Sequence, residues 1–173
     1  LGRLIPKGKI YYVPGNHEYY WSFDQVIPEL KRLGIRVLLN QGELLSHNET
    51  PIWVGGVTDP AAESSGGEAP NVNQAAQGSE SAKFKLFLSH RPDYAPLASK
   101  VGFNLQLSGH THGGQFFPWT YVGKLFHRFY IGLMKFESMW IYVSPGTGTW
   151  GPPIRIGTTP EVTCIQLVRD PRV

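Results

Sequence analysis

Apolar positions along this chain fall into short runs, and the runs repeatedly stop at a histidine. In "KGKIYYVPGNHE" the run from Ile10 to Val13 is closed by Pro14 and Gly15, which reads as a buried strand entering a loop, with Asn16 and His17 just past its end. "FKLFLSH" reads as a second strand running into His90, and "NLQLSGHTH" as a third running into His110 and His112. In open α/β sheets the loops at the carboxyl ends of strands bind ligands, so these three endings predict convergence on one site.

The segments between them fill in an α/β pattern. In "FDQVIPELKRLG" Val26, Ile27, Leu30 and Leu33 share one face, which predicts a helix capped by Ser22, stopped by Gly34 and distorted in its first turn by Pro28. "IRVLLNQGELLSHNETPIWVGGVTD" supplies three extended runs with the rhythm of an antiparallel meander. Residues 60 to 81 read as a surface loop with one short helix near Val72 to Gln77, and "DYAPLASKVG" as a short helix. The aromatic stretch "FFPWTYVGKLFHRFYIG", with its interleaved basic residues, suits either a membrane interface or a buried hairpin, and the hairpin is the preferred reading. After it come a strand, a Gly/Pro loop and a final strand, "EVTCIQLV", in which Cys164 is expected to be buried.

Composition narrows the classes. The chain has 173 residues, 41% hydrophobic and 17% charged, which suits one globular domain, and no apolar run approaches the ~20 residues of a membrane span. A net charge of +3 is dispersed, so no nucleic-acid partner is expected. A single cysteine cannot form an internal disulfide. Residue 1 is leucine, and "LGRLIPKGK" reads as the last turn of a helix entering a strand, so the chain is expected to start within something longer.

Neutral imidazole suits Zn, Mn and Fe, whereas an all-carboxylate set would favour Mg or Ca. On an extended segment His110 and His112 project the same way, and Gly109, Gly113 and Gly114 permit close backbone approach, a spacing that fits one metal or a pair. His47 and His127 are read as ordinary histidines.

"GNHE" at 15 to 18, "SHRPD" at 89 to 93 and "GHTH" at 109 to 112 together resemble the calcineurin-like metallophosphoesterase superfamily. The longer forms "VPGNHEYY", "SGHTHGGQ" and "GTGTWGPPIRIG" are most similar to its bacterial, often membrane-associated branch. The resemblance implies a four-layer α/β/β/α sandwich with two mixed sheets. It also implies hydrolysis of phosphate mono- or diesters by two divalent metal ions (Mn, Fe or Zn) bridged by an aspartate and a water or hydroxide. By the same resemblance Asn16, His90 and His110 bind one metal, His112 reaches the other, and His17 stabilises the phosphoryl oxygens and protonates the leaving group. Glu18 is expected to orient or support, and Arg91 and Asp93 to support the metal ligands or, the preferred reading, to cap a helix.

The family's Asp-x-His and Gly-Asp-x-x-Asp motifs do not precede "GNHE": Asp24, the first aspartate, follows His17. The expectation is therefore that residues 1–173 form the C-terminal portion of a single metallophosphoesterase domain with its N-terminal strands missing. Such a chain binds at most one ion well, is inactive or nearly so alone, and needs help to reach a native-like fold, for instance another copy completing the sheet. For substrate binding, Trp150 is expected as a stacking or apolar wall and Arg155 as a phosphate partner, with a phospholipid or lipid-linked phosphoester as the first substrate class and a membrane surface as partner. The competing class, a non-catalytic module on the same scaffold, gives no reason for "GNHE" and "GHTH" to be intact.

Overall fold

The computed structural model describes residues 8–47 and 50–168. The helical turn expected at the N-terminus and the His47 side chain lie outside the described residues. The architecture is mixed α/β with two sheets, the class the resemblance implied.

The larger sheet is built from β3 (Gln41–His47), β4 (Thr50–Gly56), β5 (Phe84–Leu88), β6 (Leu105–Ser108), β7 (Gly132–Phe136) and β8 (Met139–Val143), in the order β3-β4-β5-β6-β8-β7. The neighbours β4, β5, β6 and β8 are mutually parallel, and antiparallel β3 and β7 flank them. Mainly apolar strands such as "FKLFL", broken only by Lys85, suit that interior position. Phe87, Met139, Ile141 and Val143 are fully buried and meet Ala95, Ala98 and Phe103 from α5 (Ala95–Val101) and the turn after it. Burying a side chain of that size contributes roughly 1.5–3 kcal/mol.

A smaller parallel pair, β1 (Tyr11–Tyr12) and β2 (Arg36–Val37), carries α1 (Asn16–Trp21) and α2 (Phe23–Arg32) between its strands. The helix expected from Phe23 forms, buries Ile27 and Leu30 against Ile35 and Val37, and accommodates Pro28 inside. The pair packs against the end of β4, where Gly56 leaves room: a Cβ there would lie 2.6 Å from Val13 and 2.7 Å from Leu38.

Four expectations are corrected. The run at Arg36–Val37 leaves the predicted meander to pair in parallel with β1; only β3 and β4 form the hairpin. Residues 60 to 81 are more than a surface loop: α3 (Ala61–Ser64) and α4 (Val72–Ala75) bury Ala61, Ala62, Val72 and Ala75, and the Trp53 indole N–H donates to the Ala75 carbonyl at 2.8 Å. The predicted hairpin after Phe116 is instead a helix, α6 (Trp119–Phe126), followed by β7. "EVTCIQLV" forms no strand and Cys164 is exposed. Its alternation needs a ladder partner, whereas the contacts described for it are Glu161 N–H to the Gly146 carbonyl and the Tyr142 hydroxyl to Glu161 and Thr163.

Candidate metal centre

Parallel strands deliver their carboxyl ends to one side of the larger sheet. Asp59 follows β4, His90 follows β5, His110 follows β6, and the Gly/Pro loop from Ser144 follows β8. Asn16 arrives from the smaller pair, as the first residue of α1 rather than as a loop residue. Glu18 supports that turn by accepting the Gly15 N–H at 2.7 Å.

Of the five residues expected at the metal centre itself, Asn16, His90 and His110 meet through side-chain contacts. His90 Nε2 lies 3.0 Å from Asn16 Oδ1 and 3.2 Å from His110 Nδ1, and the two imidazoles stand edge to face with centroids 5.0 Å apart. Gly15 makes this possible, since a Cβ there would fall 2.8 Å from the His90 ring. Burial lowers both His90 and His110 to a pKa of about 4, so both rings are neutral near neutral pH. A neutral ring nitrogen either donates or accepts. With Oδ1 of Asn16 facing it, His90 Nε2 therefore cannot satisfy both neighbours. A cation can, by drawing on a lone pair of each atom. Donors about 2.1 Å from one ion stand about 3.0 Å apart at a right angle and about 3.4 Å apart at a tetrahedral one, and the observed separations fall in that range.

His112 follows on a coiled segment: His110 and His112 have φ values of 70° and 52°, so strand alternation is not what orients their rings, and His112 lies close enough to contribute to lowering the His90 pKa. The His112 Nδ1 is buried without a hydrogen-bond partner, and its pKa is lowered by burial, then by Arg155 and His17. His17 is exposed on α1, its ring 5.9 Å from that of Tyr20. Among the described residues no group of three or more His, Cys, Asp or Glu side chains can hold one ion. The donors that converge are two imidazoles and an amide oxygen.

Two residues that sequence reasoning missed brace this cluster. Asp59, completely buried, binds Arg91 through both carboxylate oxygens at 3.0 and 3.3 Å, so Arg91, which stands at the start of the 3-10 turn Pro92–Tyr94, uses its side chain to hold a carboxylate. Its signal was an aspartate at a strand end, "VTDP". Gln115, also completely buried with φ 57°, fastens the "HGGQ" turn to the last loop. Its amide donates to the Trp150 and Pro152 carbonyls at 2.8 and 3.1 Å and accepts the Trp150 N–H at 2.7 Å. Arg155 reinforces the same junction, donating to the carbonyls of His112, Pro145, Gly146 and Gly148. Its guanidinium is thus engaged by backbone. Trp150 keeps 43% of its surface exposed beside the Phe116 ring.

The neutral histidines set a pH dependence. Unfolded histidines take up protons near pH 6.5, these two only near pH 4, so between those values the unfolded chain binds more protons and stability falls with falling pH. The metal-free chain is expected to show a lower urea midpoint at about pH 5 than at about pH 7, with a smaller difference in His90→Gln. Equal midpoints would contradict the burial of these rings.

Comparison with known proteins agrees with the geometry. The family described as calcineurin-like phosphoesterase matches residues 1–114. An uncharacterized metallophosphoesterase of Campylobacter jejuni is 36% identical over 91% of this chain and 41% of its own length. A bovine transmembrane protein with metallophosphoesterase domain is 34% identical over 99% of this chain and 41% of its own. An uncharacterized metallophosphoesterase of Aquifex aeolicus is 33% identical over 96% of this chain and 64% of its own. The chain thus spans about two fifths of the length of the first two. Among the described residues no helix is long and apolar enough to cross a membrane. No solved structure matches significantly. With its family motifs gathered at the carboxyl ends of parallel strands, the chain belongs to the calcineurin-like phosphoesterase family.

Proposed function

We propose that this chain carries the histidine half of a dinuclear metal centre that hydrolyses phosphate monoesters or diesters. Family membership supports phosphoesterase chemistry in general. The observation that carries the finer statement is the meeting of Asn16, His90 and His110 around His90 Nε2, with Asp59, the one buried carboxylate among the described residues, already held by Arg91. Three neutral donors leave the charge of a dication to be balanced by further ligands, and carboxylates supplied by a preceding segment or by a second copy fit that role. This chain is then the C-terminal portion of its domain and binds at most one ion well alone.

When bound, divalent ions such as Mn, Fe or Zn supply neutralisation of the phosphate charge and an activated water. The chain's own residues do the rest. Asn16, His90 and His110 hold one ion, and His112 offers its unpartnered Nδ1 to the other. His17, exposed beside Asn16, holds the proton for the leaving oxygen. Trp150 is an apolar wall at the rim, while Arg155 fixes the His112 turn through its carbonyl.

The test is hydrolysis of p-nitrophenyl phosphate esters with Mn(II), comparing this chain with a longer one that supplies Asp-x-His and Gly-Asp-x-x-Asp on upstream strands. Turnover is expected only in the longer chain. Equal turnover by both would refute the half-site.

A further inference from the structure

Helix α6 has no buried residue. Its inner side is fastened to the metal-centre loop: the Tyr130 hydroxyl donates to the Trp119 carbonyl at 2.6 Å, and Gly114 and Gly123 both lie against Tyr130. Its outer side is bare. Tyr121 and Leu125, four residues apart, share a face and are 68% and 81% exposed; Phe117 packs against Tyr121 and is 67% exposed, and Phe126 is 76% exposed. So much apolar surface in one place marks a contact site.

Charge selects the occupant. No aspartate or glutamate occurs between Asp93 and Glu137, whereas Lys100, Lys124, Arg128 and Lys135 do. Lys124 is exposed on α6 next to Leu125, and Arg128 is exposed just past the helix, its guanidinium over the Phe129 and Phe136 rings. A second copy docked on this face would bring lysine and arginine against the same residues, with no carboxylate of the helix to compensate. An anionic bilayer neutralises them while its acyl boundary receives the apolar side chains.

We propose that α6 seats the chain on an anionic lipid surface, with its apolar side chains in the headgroup boundary and Lys124 and Arg128 on lipid phosphates. The connection from "HGGQ" into α6 then holds the metal centre at headgroup level, where a lipid-borne phosphoester presents its phosphorus. That substrate class rests on the hydrolase function proposed above.

The test is co-sedimentation of the chain with phosphatidylcholine vesicles, with and without phosphatidylglycerol. Binding is expected to require phosphatidylglycerol and to weaken with salt. It should fall about tenfold or more in Leu125→Ser/Phe126→Ser and about fivefold in Lys124→Gln. These side chains are exposed, and unchanged circular dichroism would show that the variants fold. Equal binding by the variants, or none by the parent chain, would overturn the proposal. A dimer dissolved by Leu125→Ser/Phe126→Ser would instead assign the face to a second copy. Vesicle binding needs neither metal nor turnover, so its failure leaves the metal-centre reading intact, and failure to bind metal leaves this one intact.

Discussion

Alanine at His90 or at His110 is expected to lower the affinity of the chain for Mn(II) or Zn(II) by at least about 100-fold, since losing only an outer partner of a metal-bound histidine already costs 10–100-fold. His90 is the more severe case because its Nε2 faces both other donors, at 3.0 and 3.2 Å. Gly15→Ala should act in the same direction without removing a donor, because its Cβ would lie 2.8 Å from the His90 ring and displace it. His17→Ala should leave affinity unchanged, since His17 is exposed on α1 and outside the cluster. Competition titration against a chelator reads all four variants. Undiminished binding by both His90→Ala and His110→Ala would show that the metal sits elsewhere.

The second large effect is on stability. Arg91→Met leaves Asp59, with no exposed side-chain surface, as an unpaired carboxylate that still accepts the Ala61 N–H at 2.9 Å. Breaking a buried pair by removing one partner costs about 3–5 kcal/mol, and the lower end applies because Arg91 itself is 28% exposed. Denaturant unfolding measures the loss. Asp59→Asn/Arg91→Met should recover part of it, as coupled partners do. Arg32→Met, which breaks an exposed pair with Glu29, should change little. Similar midpoints for Arg91→Met and Arg32→Met would show that Asp59 is reached by water.

These residues also mark what could be read from the sequence. "FKLFLSH" and "NLQLSGHTH" announce His90 and His110 because each short, mainly apolar run gives way to small and polar residues where its strand ends. The helix from Phe23 was visible through its periodic Val26, Ile27, Leu30 and Leu33. Residues 60 to 81 were misleading because alanine and glycine look like loop composition. What orders them is Trp53, 22 residues before Ala75, which no local pattern reveals. For "FFPWTYVGKLF" the apolar residues satisfy either a hairpin or a helix, and burial was assumed where the chain leaves them exposed. The pairing of His110 with His112 is legible from the motif, but an extended segment is not its cause, because φ is positive at both residues. Gln115 and Asp59 were passed over because a lone amide or carboxylate carries no spacing signal. Their roles arise from partners 35 and 32 positions away.

The most direct measurement is zinc K-edge X-ray absorption on the chain with one equivalent of Zn(II). Two imidazole rings and an oxygen donor around the ion, with one imidazole lost in His110→Ala, are the predicted result. A shell of oxygens alone, or a sulfur from the exposed Cys164, would contradict the convergence of Asn16, His90 and His110 on a metal.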